Sequence, residues 1–430
     1  MSFDAVIVGA GILGSSVAYF ASENGLKVAV IEKEKEPGVH STYRNTGVVH
    51  RPFYLNPDRR KASAFAAARS YPFLKMFVEE KGLYWNQLGT LEVSTDAQGA
   101  GVIRNYERWA RENGMEESEY LVLDEKEISA IEPNVKGKLA FLSKTDSVVN
   151  FKQISEKMME LSEGMGARVF YGCRTVSVNP DGEVVCSYDG SKKKISGRSV
   201  IVVAGGETFK LAVTNGLKGY AQLHFRGDYW KLSEEKGKFF RRNIYTVPRF
   251  PNFPFLDPHI IKRHTGGTEI GPNAFLVPGP YDYEGTFSKI LKNVLGSGEG
   301  PFPIKAKLFT DVEFMKLVFA DWRISLFKSS MIKKVSEFAT GITSGDAIGR
   351  GISGIRHNII DKSGFISEPF FYIKGRVLFV LNYNSPGATG SPWYASVILS
   401  LLSKKGILNA NYRNLVINDE SETFSVKALE

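Results

Sequence analysis

The sequence predicts an α/β protein in which a discontinuous, parallel-sheet nucleotide-binding domain carries an inserted antiparallel α+β domain. Three observations lead there. The first thirty-two residues run strand, glycine turn, helix, strand, acid, and the middle of the chain breaks into short extended segments separated by Pro and Gly. Glycine-bearing turns then recur near residues 40, 205, 354 and 387, which a single continuous nucleotide unit does not need.

The opening unit comes first in order. Residues 3–8 are an apolar run that reads as a strand, and Gly9, Gly11 and Gly14 follow in the spacing G-x-G-x-x-G. Ile12 opens a stretch of helical periodicity that lasts to Gly25, and residues 27–31 form a second strand closed by Glu32. Gly9 permits the tight turn, Gly11 lets backbone approach a pyrophosphate, and Gly14 lets helix pack closely on strand. Glu32 sits where a carboxylate accepts hydrogen bonds from an adenosine ribose. The unit calls for an adenine dinucleotide without saying which one.

Residues 34–57 are rich in Gly, Ser, Thr, Asn and Pro, longer than an ordinary connection and therefore expected to be functional. Residues 57–82 read as helical, with an apolar stripe of Ala62, Phe65, Ala66, Phe73, Leu74, Phe77 and Val78 and a kink or division expected at Pro72. A strand at 91–94, a helix at 102–113 and a short helix at 125–132 stopped by Pro133 come next. From 154 a helix, an extended piece at 168–171 and a meander turned at 179–182 and 189–191 lead to the apolar strand 199–204 and its Gly205-Gly206 turn. Residues 220–334 fit an antiparallel sheet with covering helices. A strand at 377–381, a turn at 384–387 and an apolar helix through Leu402 close the chain.

A length of 430 residues exceeds one ordinary core, so two domains are expected. Hydrophobic content of 43% and charged content of 23% are those of a soluble globular protein. No apolar stretch reaches the roughly 18 residues that span a bilayer, and residues 1–4 run straight into the first strand, so the expected location is cytoplasmic. The net charge of +9 is dispersed, suited to an anionic substrate or to peripheral contact with the inner face of the cell membrane. No aromatic-interleaved basic run occurs, which argues against nucleic acid. Cys173 and Cys186 lack metal or redox spacing; they are expected to be two buried thiols, with no disulfide and no metal site.

In order along nearly the whole chain, these segments resemble the D-amino-acid-oxidase superfamily of flavoproteins, in the branch of L-2-hydroxyglutarate dehydrogenases and glycerol-3-phosphate oxidases and dehydrogenases. Gly9 to Gly14 with Glu32 and Lys33 is similar to the family's FAD adenosine-pyrophosphate motif. Ser41-Thr42 and Arg44-Asn45-Thr46-Gly47, running on to His50, resemble the loop that reaches the flavin. Thr175 falls on the strand flanking adenine, Ala204-Gly205-Gly206 on the turn under the cofactor, and Gly387-Ala388-Thr389 on the turn at the flavin pyrimidine end. Phe225 to Tyr229 and Gly271-Pro272-Asn273-Ala274 also follow the branch pattern. The resemblance implies a Rossmann-like FAD-binding domain made of residues 1–82, 144–215 and 340–430, and a substrate-binding domain of 83–143 and 216–339.

It also implies the chemistry. A flavin requires a substrate carbon against its ring, a base for the hydroxyl proton, and cations for the substrate's charge. His50 matches the histidine given the role of base, and Arg356, following Gly354-Ile355, matches an arginine near substrate or flavin. The chain departs from the hydroxyglutarate enzymes at Arg51-Pro52-Phe53-Tyr54 and at His357-Asn358. Those departures add cationic or hydrogen-bonding capacity, so Arg51, Tyr54, His357 and Asn358 are expected to bind substrate, with a phosphate preferred. The expected reaction is oxidation of glycerol 3-phosphate to dihydroxyacetone phosphate. L-2-hydroxyglutarate is the alternative, and an amino acid or sarcosine a further one. Quinone or oxygen would reoxidise the flavin, and a homodimer stays open.

Overall fold

The computed structural model describes residues 2–249, 253, 255, 257–284 and 299–408, together with the backbone of 426–428. Its largest sheet has nine strands. At its centre Ser2–Val8 lies between Ser191–Val202 and Val28–Ile31, with Val377–Leu381 and Arg168–Phe170 outside them, all parallel. Where they lie side by side, residues 5–8, 28–31, 199–202 and 377–381 are buried on both faces, as a sheet covered on both sides requires. Ile7, Val30, Ile201 and Leu378 pack against the helices Ile12–Glu23 and Gly387–Lys404. Val6, Val8, Val200, Val202 and Phe379 face the other way, toward Phe209 and Leu211. Trp393 and Tyr394 are buried in the first of these layers.

The inserted region is an eight-stranded sheet, antiparallel except where Asn243–Thr246 runs parallel to Thr90–Ser94. A four-stranded sheet adjoins it in sequence, with Ala221–Gly227 between Phe275–Val277 and Gly354–Asp361. Strand Gly354–Asp361 falls within the stretch assigned from sequence to the nucleotide domain, yet it pairs with the inserted region. A small three-stranded sheet joins Val48–Val49, Ser147–Val149 and Trp85–Asn86, and carries the end of the 34–57 loop.

Three local expectations need correction. Helix Lys61–Glu80 runs unbroken through Pro72. Pro72 lies on its exposed side, where water can serve the carbonyl that loses its helical donor. The helix expected at 102–113 starts earlier, at Ala97, because the Asp96 side chain accepts the Gly99 N–H at 2.7 Å and caps it. Cys173 and Cys186 are not free thiols: they form a disulfide, with Cα atoms 5.8 Å apart. The meander brings them together, since Thr175 and Cys186 are direct partners in neighbouring antiparallel strands.

Candidate active site

A long cavity runs over the carboxyl ends of the parallel strands, touching Val8, Ile31, Val203 and Leu381. Backbone shape builds its floor. Gly9 has φ +105°, and a Cβ there would stand 2.7 Å from the Val203 carbonyl oxygen. A Cβ on Gly14 would overlap the Gly9 carbonyl oxygen. Ile12 N–H donates to Thr42 Oγ1 at 2.9 Å, tying the first turn of the helix to the loop thirty residues on. Glu32 accepts the Ala10 N–H at 2.7 Å on one oxygen and the Glu34 N–H at 2.9 Å on the other. Burial raises its carboxyl above the usual range, and those two donors oppose the rise.

The expected cofactor residues converge here. Gly9, Gly11, Ile12, Glu32, Lys33, Ser41, Thr42, Arg44, Asn45, Thr46, Thr175, Ala204, Gly205, Gly206, Gly354, Gly387, Ala388 and Thr389 all line the cavity; Gly14 and Gly47 do not, and pack instead against the carbonyls of Gly9 and Val149. Over the mouth, the Lys33 ammonium sits 3.2 Å from the centre of the Tyr281 ring, and the Arg44 guanidinium 3.9 Å from that of Tyr283. Buried oxygens of Thr175, Thr208 and Gln222 in the lining have no partner among the described residues. Such orphaned atoms are costly unless a ligand serves them, and a dinucleotide's hydroxyls, phosphates and ring nitrogens are suited to do so. The cradle that admits no Cβ and these waiting polar atoms fit FAD.

At the far end the cavity meets His50 and Arg356. His50 follows strand Val48–Val49; its backbone N–H donates to Thr389 Oγ1 at 3.1 Å, and its Nδ1 lies 3.1 Å from Asp146 Oδ2. The rings of Tyr54 and Tyr245 stand edge-on to the imidazole, with centroids 5.8 and 5.7 Å away. Arg356 comes from strand Gly354–Asp361, opposite Phe225. Burial pushes the Tyr229 phenol up to about 12, opposed by the charges of Arg263 and Arg356. His259 stacks on Tyr245 at 4.1 Å, and burial holds it well below the usual imidazole range, with Arg356 and His50 adding to the effect.

The four expected substrate ligands are placed differently. The Arg51 guanidinium pairs with Glu119 at 2.7 Å, lies over Tyr71, and is outside the cavity lining. His357 lines the cavity, but its Nδ1 is 3.0 Å from Nδ1 of His224. Burial drives both imidazoles down, His224 to about 4. Asn358 is 1% exposed and outside the lining, as is Tyr54, which packs against His50. Tyr229 and Asn273 do line the cavity; they lie in segments noted from sequence but given no role. Asp146, Tyr245 and His259 carried no sequence signal, because each reaches the site by strand pairing.

The family model described as DAO, FAD dependent oxidoreductase, matches residues 4–401. An L-2-hydroxyglutarate dehydrogenase from Indibacter alkaliphilus is 28% identical over 403 residues, covering 91% of this chain and 96% of that protein. Its counterpart from Escherichia coli K12 is 27% identical over 399 residues, 90% of each chain. Among solved structures, L-alpha-glycerophosphate oxidase from Mycoplasma pneumoniae with FAD bound has a TM-score of 0.73 at 16% identity, covering 100% of this chain and 99% of that one. Glycine oxidase from Geobacillus kaustophilus has a TM-score of 0.66 at 13% identity over 96% of each. At those identities the structural likeness speaks to the fold.

Proposed function

The chain belongs to the DAO family of FAD-dependent oxidoreductases, and on that premise we propose that it oxidises the secondary alcohol of a small 2-hydroxy dicarboxylate, L-2-hydroxyglutarate, to the 2-oxo acid. The full-length relatives of that activity support this reading over glycerol 3-phosphate. One structural observation carries it: the two departures that favoured a phosphate supply no spare charge. Arg51 is engaged by Glu119, and His357 is held neutral by burial beside His224.

The Gly9–Gly14 turn would take the pyrophosphate, Glu32 and Thr175 the adenosine, and residues 44–47 with Gly387, Ala388 and Thr389 the ring end. FAD, when bound, supplies the acceptor for a hydride from the carbinol carbon. His50 takes the hydroxyl proton, Arg356 pairs with a substrate carboxylate, and Tyr229 and Asn273 wall the site. The nucleotide domain in this reading comprises residues 1–82, 144–215 and the parts of 340–430 outside strand Gly354–Asp361, which serves the substrate domain. Reoxidation is by quinone or oxygen. No helix among the described residues is long and apolar enough to cross a membrane, and peripheral contact and a homodimer remain part of the proposal only.

Anaerobic mixing of the flavin-loaded protein with each substrate tests the reading. L-2-hydroxyglutarate should bleach the flavin; bleaching by glycerol 3-phosphate alone, or by neither, would overturn it.

A further inference from the structure

We propose that Asp146 is the positioning residue for His50: its carboxylate fixes the proton on Nδ1 and so leaves Nε2 as the atom that accepts the substrate's hydroxyl proton. The inference rests on the reading of His50 as base. Strand register is the first ground. Val48 pairs with Val148 and Val49 with Ser147, so continuing the antiparallel ladder sets His50 opposite Asp146, ninety-six residues away.

The second ground is how completely the carboxylate is held. Asp146 is 0% exposed. Oδ1 accepts the Arg51 backbone N–H at 3.0 Å and the Ser143 hydroxyl at 2.6 Å, which leaves Oδ2 for the imidazole at 3.1 Å. With Oδ1 occupied by two donors, an ionised Asp146 presents Oδ2 as an acceptor to the imidazole, which assigns the proton to Nδ1. The Thr389 bond to the His50 backbone and the flanking rings of Tyr54 and Tyr245 keep the imidazole from turning away. Arg51 joins the same assembly: its backbone feeds Asp146, while its guanidinium holds Glu119. The residue after the base thereby contributes its backbone to the scaffold, while its side chain is engaged by Glu119.

Two measurements on the full-length protein test this. In the unmodified protein, nitrogen-15 spectra of the histidine side chains, with the His50 signals identified by their loss in His50→Gln, should show the Nδ1–H form. An Nε2–H form would overturn the proposal, and this readout needs no turnover. Second, the limiting rate of anaerobic flavin reduction should fall about 100-fold in Asp146→Asn, with half-saturation changed less than about 3-fold and flavin content kept. Asp146→Glu should recover part of that rate. The double variant with His50→Gln should be no slower than His50→Gln alone, because residues acting as one unit are not additive. Multiplying losses, or an Asp146→Asn rate within about 3-fold of the unmodified protein, would sink the Asp146 role while leaving His50 in place. A full rate in His50→Gln would instead remove the base assignment, and this inference with it.

Discussion

The cradle around Gly9–Gly14 takes its shape from backbone packed on backbone, the helix start against Gly9 and Gly9 against Val203 at the end of the neighbouring strand, whereas the end with His50 and Arg356, backed by Tyr245 and His259, is assembled from three different sheets. In the cradle, a missing atom makes the site: there is no room for a Cβ at Gly9 or Gly14. On the substrate face, long-range pairing makes it, as in His50 with Asp146 or the strand of Arg356 with that of Phe225. The same contrast holds for buried carboxylates. Glu32 in the cradle has two backbone donors, while Glu92, behind the substrate face and paired in register with Tyr245, has the Tyr106 hydroxyl at 2.6 Å. Close backbone packing specifies the first region, and side-chain partners from distant segments specify the second.

The largest expected effect breaks the cradle. Gly14→Ala would drive a Cβ into the Gly9 carbonyl, and neither backbone can yield without opening the turn. Flavin absorbance per purified chain should fall by more than about 10-fold. Gly101→Ala, on helix Ala97–Glu112 with open space around it, should keep full flavin and gain about 0.5–1 kcal/mol. Retained flavin in Gly14→Ala would mean that the cradle tolerates what the geometry forbids.

Next comes the charge on the substrate face. Arg356→Met should raise half-saturation for the hydroxy acid about 100-fold, the scale of losing a charge-assisted pair, with flavin content unchanged. Steady-state rates with an artificial electron acceptor read this directly. Unchanged half-saturation would move the carboxylate site elsewhere.

That division explains what was legible in the sequence. The nucleotide sheet and the Gly9–Gly14 turn follow from local motifs, the resemblance to the flavoprotein family supplies the other cavity-lining residues through Thr389, and the structure brings them together. Arg51 and His357 read as free cations because a sequence shows charge but not partners; Glu119 and His224 lie 68 and 133 residues away. Asp146 sits in a plain Thr-Asp-Ser stretch, and only the register with Val48–Val49 gives it a role. The disulfide escaped for a like reason: thirteen residues of meander fold back to bring Cys186 to Cys173.

Stability against pH sharpens the contrast between the carboxylates. Burial pushes Glu92 up to about 8, opposed by the Tyr106 hydroxyl and helped by the charge of Asp146. The folded protein therefore keeps a proton that the unfolded chain releases near 4.5, so this contribution is complete below that pH and is lost as pH rises toward 8. Its upper bound is about 5 kcal/mol. Glu92→Gln should flatten the fall in unfolding free energy over that interval, as followed by urea denaturation. An unchanged slope would mean that Glu92 does not hold the proton.

The smallest effect belongs to His357, and its smallness is the point. A cation on this strand would contribute to anion binding, and its removal would cost about 10-fold or more in half-saturation. The His357 imidazole instead shares a 3.0 Å contact with His224, and burial first, then the neighbouring imidazoles of His224 and His40, keep it far below the usual range. His357→Asn keeps a polar group near His224 and removes nothing charged, so half-saturation for L-2-hydroxyglutarate should shift less than about 3-fold from pH 6 to 8. If the shift exceeds 10-fold and grows toward the acid end, His357 is a working cation. A phosphate-bearing substrate then regains support for this cavity, because the neutral pair was one of the grounds for setting it aside.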